Sequence, residues 1–286
     1  MRKLIELYLE RCRARGLSAN TLKAYSRDLA SFIQYAGSRR NYKELIQMWI
    51  RLQQRKGVSA ATVSRRLTAV KTFFRYLVNE GYIQRNPVAG TEAPKIPRRL
   101  PKPLTEADIS KLLNEAKRTC SARDLAIVEL LYSTGMRVSE LTCLKMADIC
   151  LEKRFVTVYG KGSRERLLPL GMDAIRAILS YLESRPESQN GLLLFLNHFG
   201  RPLRPKTVQR LLRGLGESAG IESRVTPHVL RHSYATHMLD HGCDLRTLQE
   251  LLGHQDISTT QKYTAVSTER KVEAVSKFHP RGNMKI

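Results

Sequence analysis

Two arginines and a tyrosine near the end of the sequence have side chains suited to reaction at a phosphodiester. Arg137 and Arg231 carry planar guanidinium groups, which match the oxygens of a phosphate and stay charged at all relevant pH. Because a phosphodiester transition state spreads negative charge over its non-bridging oxygens, two such groups could act as an electrostatic clamp without a metal ion. Tyr263 could attack the phosphorus if nearby positive charge stabilised its deprotonated phenol.

A helix is expected to carry one of these arginines together with a histidine. His228 lies three residues before Arg231, a spacing that places both side chains on one helical face. Thr226 is a suitable N-cap for that helix and Pro227 a suitable first residue. The pattern therefore places His228 in the first turn, where free N–H groups and the helix dipole favour an anion such as phosphate.

Two more residues could assist the same reaction. Lys161 stands between glycines in the turn 160–163, where an accessible ammonium group could protonate a leaving oxygen. His254 precedes Tyr263 by nine residues and could hydrogen-bond the phosphate or orient the tyrosine. A lysine in a turn is an ordinary surface feature when taken alone, so this assignment depends on its neighbours.

The histidine spacings also allow a metal site, which we consider the weaker interpretation. The pairs His228/His232 and His237/His241 have an i,i+4 spacing that can bind zinc. No glutamate follows the first histidine to complete a His-Glu-x-x-His motif, and Arg231 beside the first pair would repel a cation. We expect neither a metal nor another cofactor.

The segments that contain these residues resemble the tyrosine recombinase (phage integrase) family, most closely the Xer recombinases of bacteria and archaea. Ser-Thr-Gly-Met-Arg-Val-Ser-Glu-Leu at 133–141, Gly-Lys-Gly-Ser at 160–163, the His-x-x-Arg segment 226–237, Leu-Gly-His at 252–254 and the late tyrosine occur in family order. The segments 16–25 and 28–29 are similar to the family's helical core-binding domain. The resemblance implies six active-site residues: Arg137, Lys161, His228, Arg231, His254 and Tyr263.

The resemblance also implies a reaction and an assembly. The tyrosine would form a 3′-phosphotyrosyl link and free a 5′-hydroxyl, and a partner strand would reverse the step without a nucleotide cofactor. Family members form a tetramer on two DNA sites, pass through a Holliday junction and, in Xer recombinases, usually resolve chromosome dimers at a dif-like site. A mobile-element integrase would use the same chemistry. A catalytically silent DNA-binding regulator is a further alternative, against which the intact set of six residues argues.

Charge points to double-stranded DNA as the partner. The chain has 286 residues and a net charge of +23, and residues 1–90 hold 18 basic and 5 acidic side chains. Such an excess, concentrated in the first third, is typical of a protein that contacts a polyanion. An anionic membrane is the weaker alternative, because no apolar run approaches the roughly 20 residues of a spanning helix. Glu6 and Glu10 argue against a signal peptide, so we expect a cytoplasmic location.

Proline divides the chain. Five prolines fall within residues 87–103, which excludes a regular helix there, so we predict domains at 1–89 and 104–286 joined by a basic linker at 90–103.

Apolar spacing predicts a mostly α fold with a small β-sheet: an all-helical first domain and a mixed α/β catalytic domain. In the second domain the predicted strands are 155–159 and 166–170, and the predicted helices are 105–117, 122–134, 173–183, 205–215, 227–240, 244–252 and 258–264.

The tail 267–286 is expected to contain a short amphipathic helix. Val272, Val275 and Phe278 share one face of it. A helix of this length needs a surface to be stable. That surface is either its own domain or, as the resemblance suggests, a neighbouring protomer.

Overall fold

The computed structural model divides into two compact units, residues 1–99 and 100–286. It describes residues 1–39, 41–94, 102–160, 165–186, 192–253 and 268–282. The division falls within the proline-rich segment 90–103, and the domain boundaries at 89 and 104 stay a prediction. The predicted helix 258–264 lies outside the described residues.

The described part of the first unit is entirely helical, as its apolar spacing predicts. Ser18 and Ser59 begin two of the helices by accepting hydrogen bonds from main-chain N–H groups three residues ahead, at 3.2 and 3.3 Å. A core of aromatic and aliphatic side chains, including Phe32, Trp49 and Phe74, joins the helices. The helices are α1 (Arg2–Ala14), α2 (Ala19–Ala36), α3 (Tyr42–Arg55) and α4 (Ala60–Asn79).

The second unit packs further helices against a small sheet and confirms the predicted fold class. Three short elements were not predicted from the sequence: α7 (Val138–Cys143), a 3₁₀ helix (Met146–Asp148) and β1 (Ile149–Cys150). Elements of two to six residues are too short to show a period. The elements are α5 (Glu106–Thr119), α6 (Ala122–Thr134), α7 (Val138–Cys143), a 3₁₀ helix (Met146–Asp148), β1 (Ile149–Cys150), β2 (Phe155–Tyr159), β3 (Glu165–Pro169), α8 (Met172–Ser184), α9 (Pro205–Ser218), α10 (Pro227–Asp240), α11 (Leu245–Leu252) and α12 (Thr268–Phe278).

The sheet presents one arginine of β3 toward the interior of the unit. The strands lie in the order β1-β2-β3 and are antiparallel, with Val158 opposite Arg166 and Tyr159 opposite Glu165. Val158 is buried, and Arg166 on the same face of the sheet is also largely enclosed. The hairpin predicted around Gly160 has the expected strands, while its tip at 161–164 lies outside the described residues.

Helix α6 is the centre of the second unit, and its end positions the site. Every side chain from 126 to 134 is buried, which explains why this helix shows no amphipathic stripe. Gly135 then ends α6 in the left-handed conformation, at φ 59° and ψ 18°. A Cβ at this position would lie 2.5 Å from the ring of Tyr234, so that only glycine fits. The chain therefore turns sharply just before Arg137.

The described tail packs against its own unit. Val275 of α12 is buried in the unit's core. After the helix, Arg281 forms ion pairs with Glu129 of α6 (3.0 Å) and, through Nε, with Asp173 at the start of α8 (2.9 Å). In this chain the amphipathic face is thus covered by its own domain, the first of the two alternatives above. No helix among the described residues is long and apolar enough to cross a membrane.

Candidate active site

Arg137 stands at the start of α7, two residues after the turn at Gly135. Its main chain is extended, and its N–H donates to Oε2 of Glu140 at 2.7 Å. Its guanidinium reaches the other oxygen of the same carboxylate, with 3.0 Å between Nη1 and Oε1. One glutamate three residues ahead therefore binds both the main chain and the side chain of Arg137.

Helix α10 begins as the sequence predicts. Thr226 accepts a hydrogen bond from the N–H of Val229 at 3.2 Å, and Pro227 is the first helical residue. His228 lies exposed in the first turn. Arg231, one turn further, is buried and donates from Nη1 to the carbonyl oxygen of Gly135 at 2.7 Å.

The two arginines meet at the carboxyl end of α11. Arg231 donates from Nη2 to the carbonyl oxygen of Leu252 at 2.6 Å, and Arg137 approaches the same oxygen from Nη1 at 3.4 Å. Arg137 also donates from Nη2 to the carbonyl oxygen of Gly253 at 3.3 Å. Carbonyl groups at a helix end lack partners within the helix and carry partial negative charge, so they attract guanidinium groups. The structure therefore brings these two arginines together at one carbonyl group.

Positive charge is concentrated at this point. Burial, together with the positive charges of Arg137 and Arg166, lowers the pKa of Arg231 to about 10. At neutral pH the group remains charged. Arg137 and Arg166 pair with the one carboxylate of Glu140, and Arg231 lies close enough to interact with all three charges, which leaves an excess of positive charge suited to an anion.

Glu140 and Arg166 are site residues to which the sequence analysis gave no role. Glu140 is buried, and hydrogen bonds from Arg166 and from the main chain of Arg137 outweigh that burial, so its pKa is lowered. The spacing of three between Arg137 and Glu140 was a signal that could have suggested the pair. Arg166 gave no such signal, because its contacts are with residues far away in the sequence.

The other three predicted residues, Lys161, His254 and Tyr263, lie outside the described residues. The described chain leads up to one of them: Gly253 ends α11 in the left-handed conformation, at φ 65° and ψ 50°, immediately before His254. Their roles, like those of the other three, stay predictions.

In the histidine pair 237/241, His237 hydrogen-bonds to two other parts of the second unit. Nε2 of His237 donates to the carbonyl oxygen of Leu104 at 2.8 Å, and its Nδ1 accepts from the hydroxyl of Tyr132 at 2.9 Å. Both ring nitrogens are thus engaged in fixing the start of the second unit against α10. This arrangement does not fit the zinc alternative for that pair.

Comparison with known proteins agrees with this geometry. Residues 102–270 match the model of the phage integrase family, and residues 5–81 match that of the phage integrase N-terminal SAM-like domain. The tyrosine recombinase XerD of Listeria monocytogenes serotype 4b (strain F2365) is 42% identical over 282 residues, covering 93% of this chain and 95% of that protein.

Two solved structures are similar along nearly the whole chain. A crystal structure of XerA recombinase is 29% identical with a TM-score of 0.52, covering 98% of this chain and 99% of the other. A lambda integrase dimer bound to a core site is 20% identical with a TM-score of 0.71, covering 93% and 99%. On the family match and the level of identity, the chain belongs to the phage integrase family and is a site-specific tyrosine recombinase of the Xer type.

Proposed function

We propose that this recombinase exchanges DNA strands by transesterification, with Tyr263 as the nucleophile. The phenol oxygen attacks the scissile phosphorus and loses its proton, while the bond from phosphorus to the 5′ oxygen breaks. That oxygen leaves as a 5′-hydroxyl with a proton from Lys161, and a 3′-phosphotyrosyl link remains. The 5′-hydroxyl of a partner strand then reverses the step. One phosphodiester replaces another, so the reaction needs no nucleotide.

The convergence of Arg137 and Arg231 on the end of α11 carries this proposal. Two guanidinium groups share the carbonyl oxygen of Leu252, at 3.4 and 2.6 Å. Fixed positive charge that is already in place needs no reorganisation when the transition state forms. We assign both arginines to the non-bridging oxygens, and His228 and His254 to hydrogen bonds with the phosphate or the tyrosine.

For the first unit we propose contacts with the DNA backbone. Residues 1–90 carry +13 of the net charge of +23, and Arg65 and Arg75 of α4 are exposed. Backbone contacts hold a duplex without reading its sequence. The lambda integrase relative is a dimer bound to its DNA site. We infer that this chain also binds double-stranded DNA as a homo-oligomer, with a tetramer on two sites as the complete synapse.

We also propose a cellular task. The relatives named XerD favour the resolution of chromosome dimers, in the cytoplasm.

The tail has a part in the proposed synapse. We propose that residues 267–286 leave their own unit there and dock on a neighbouring protomer. The ion pair of Arg281 with Asp173 can be exchanged because both side chains are partly exposed, at 22% and 28%. Glu129, the other partner of Arg281, is 3% exposed, so its pair favours the tail on its own unit until the synapse forms.

A nicked suicide duplex tests the chemistry. Cleavage near the nick releases a short strand, so the covalent complex accumulates and migrates slowly on a denaturing gel. We expect Tyr263→Phe to bind the duplex as the wild type does and to form no covalent band, because only the hydroxyl is lost. Tyr82→Phe, which alters an exposed tyrosine of the first unit, is the control and should keep the band. A persistent band in Tyr263→Phe would show that another residue is the nucleophile.

A further inference from the structure

Arg166 of β3 is a buried arginine whose donors are directed at the protein. Its side chain is 9% exposed, and its two terminal nitrogens face the two oxygens of Glu140, at 3.0 Å (Nη1–Oε1) and 2.7 Å (Nη2–Oε2). Its Nε donates to the carbonyl oxygen of Leu251 at 2.9 Å. Because the hydrogen-bond donors on both edges of this guanidinium already have partners in the protein, Arg166 is unsuited to bind a phosphate. It can affect the reaction only through the residues that it contacts.

The first of those neighbours is Glu140, which Arg166 shares with Arg137. Oε1 accepts one hydrogen bond from each guanidinium, both at 3.0 Å. Oε2 accepts one from Arg166 and one from the main-chain N–H of Arg137, both at 2.7 Å. The two-pronged contact with Arg166 fixes the plane of the carboxylate, and the carboxylate in turn fixes where Arg137 begins and where its guanidinium points.

The second neighbour is the end of α11. Arg166 binds the carbonyl of Leu251, Arg231 binds that of Leu252, and Arg137 binds those of Leu252 and Gly253. Gly253 also packs closely on Arg166, since a Cβ there would lie 3.2 Å from its Nη1. Three guanidinium groups therefore hold three consecutive residues, and the next residue in the chain is His254.

Charge gives Arg166 a second effect on Arg137. The carboxylate of Glu140 divides its acceptor sites between the two arginines. Among the described residues, the cationic partners of Glu140 are Arg137 and Arg166, so without Arg166 the buried carboxylate would draw the Arg137 guanidinium into a two-pronged pair. Such a pair would turn its donors away from a bound phosphate.

We propose that Arg166 is a positioning residue for strand cleavage: it holds Glu140 and the end of α11 so that Arg137 is presented to the scissile phosphate. The inference rests on the proposed function, in which Arg137 stabilises the transition state. A lysine cannot replace Arg166 fully, because an ammonium group is a point charge without the planar pair of donors.

The test compares Arg166→Met and Arg166→Lys with the wild type in the full chain. We expect Arg166→Met to slow single-turnover cleavage of the suicide duplex by about 100-fold, the effect of a small misplacement of a catalytic group. The Kd for the same duplex should change less than about threefold, since many other basic residues hold the backbone. Arg166→Lys should be intermediate, about tenfold slower, and it serves as the folded variant if the methionine variant does not fold.

Arg123→Met is the matched control. Arg123 of α6 makes the same kind of contacts elsewhere in the unit, with Asp124 (2.8 Å from Nε) and the carbonyl oxygen of Leu196 (3.3 Å). We expect its loss to lower the Tm and to leave the cleavage rate within about twofold of the wild type. If Arg123→Met slows cleavage as much as Arg166→Met, Arg166 acts on the fold alone and the proposal is wrong.

A double-mutant cycle identifies the route. If Arg166 acts through Arg137, adding Arg166→Met to Arg137→Ala should slow cleavage by less than about threefold more. A full 100-fold further loss would overturn the proposal, because it would mean that Arg166 acts independently of Arg137. If Arg137→Ala itself cleaves at the wild-type rate, it is the proposed function that fails, and the two failures are thus separable.

Discussion

Each unit of the molecule buries one carboxylate between two arginines, and the two arrangements differ. In the second unit Glu140 accepts four hydrogen bonds from Arg137 and Arg166 at 2.7–3.0 Å. In the first unit Asp28 of α2 accepts a hydrogen bond from Arg65, while Nε of Arg66 approaches it only to 3.6 Å. Both arginines therefore hydrogen-bond to Glu140, whereas one of the two arginines hydrogen-bonds to Asp28. We call Glu140, Arg137 and Arg166 the tight cluster, and Asp28, Arg65 and Arg66 the loose cluster.

The pKa values of the two carboxylates shift in opposite directions for this reason. Burial raises the pKa of Asp28, and the charges and hydrogen bond of Arg65 and Arg66 do not offset it. Burial acts on Glu140 in the same sense, but its hydrogen bonds outweigh burial and lower the pKa. A buried charge stabilises a fold only when hydrogen bonds and opposite charges compensate for its burial. The tight cluster is compensated in this way and serves to position Arg137. The loose cluster leaves arginine donors available for other contacts.

Glu140→Gln should produce the largest effect on stability. It removes the only carboxylate that the described contacts place between Arg137 and Arg166, so the enclosed Arg166 and the partly exposed Arg137 lose their shared partner. Breaking a buried pair in this way typically lowers the free energy of unfolding by about 3–5 kcal/mol. Urea unfolding of the full chain measures it. If the free energy of unfolding fell by less than about 1 kcal/mol, the hydrogen bonds to Glu140 would not hold the two arginines as described.

Acid should reduce that effect. Because the folded-state pKa of Glu140 is lowered, its contribution is present at pH values above the unfolded pKa of about 4.3 and is lost as pH falls through the folded pKa. We therefore expect the stability difference between the wild type and Glu140→Gln to be constant between pH 7 and 5 and to shrink below about pH 4. A difference that grows on acidification would contradict the direction of the shift.

The features that could be predicted from the sequence depend on interactions between residues that are close together in the chain. The start of α10 at Thr226 was predicted correctly because an N-cap and its partner lie three residues apart. The end of α6 at Gly135 was predicted for a similarly local reason.

The parts that the sequence missed depend on distant contacts. Arg166 contacts Glu140 and Leu251, which are 26 and 85 residues away in the chain, and no local spacing encodes either contact. The pairing of Arg137 and Arg231 could be inferred from chemistry, but not that a helix end joins them. Whether the tail packs on its own unit was likewise open, because an apolar face does not specify its partner.

Asp28→Asn should have a smaller effect on stability than Glu140→Gln. Because the folded-state pKa of Asp28 is raised, its charged form costs stability, and this cost appears as pH rises through the folded pKa. Removing the charge offsets the lost contact with Arg65, so at pH 7 we expect a change within about 1 kcal/mol. Urea unfolding of both variants under one set of conditions makes the comparison. Equal losses in Asp28→Asn and Glu140→Gln would show that the two clusters are energetically alike.

Arg65→Gln should change the salt dependence of DNA binding while leaving the fold intact. The Arg65 side chain is 44% exposed although it contacts Asp28, so part of its guanidinium can reach a backbone phosphate. Each phosphate contact contributes about −0.9 to the slope of log K against log salt concentration, and losing one should make the slope shallower by about that amount. Arg176→Gln is the control, since that arginine is 70% exposed and forms a surface pair with Asp173 in the second unit. Titration of a duplex at several KCl concentrations measures both slopes. An unchanged slope in Arg65→Gln would assign Arg65 to Asp28 alone, and the loose cluster would then have a structural role rather than one in binding DNA.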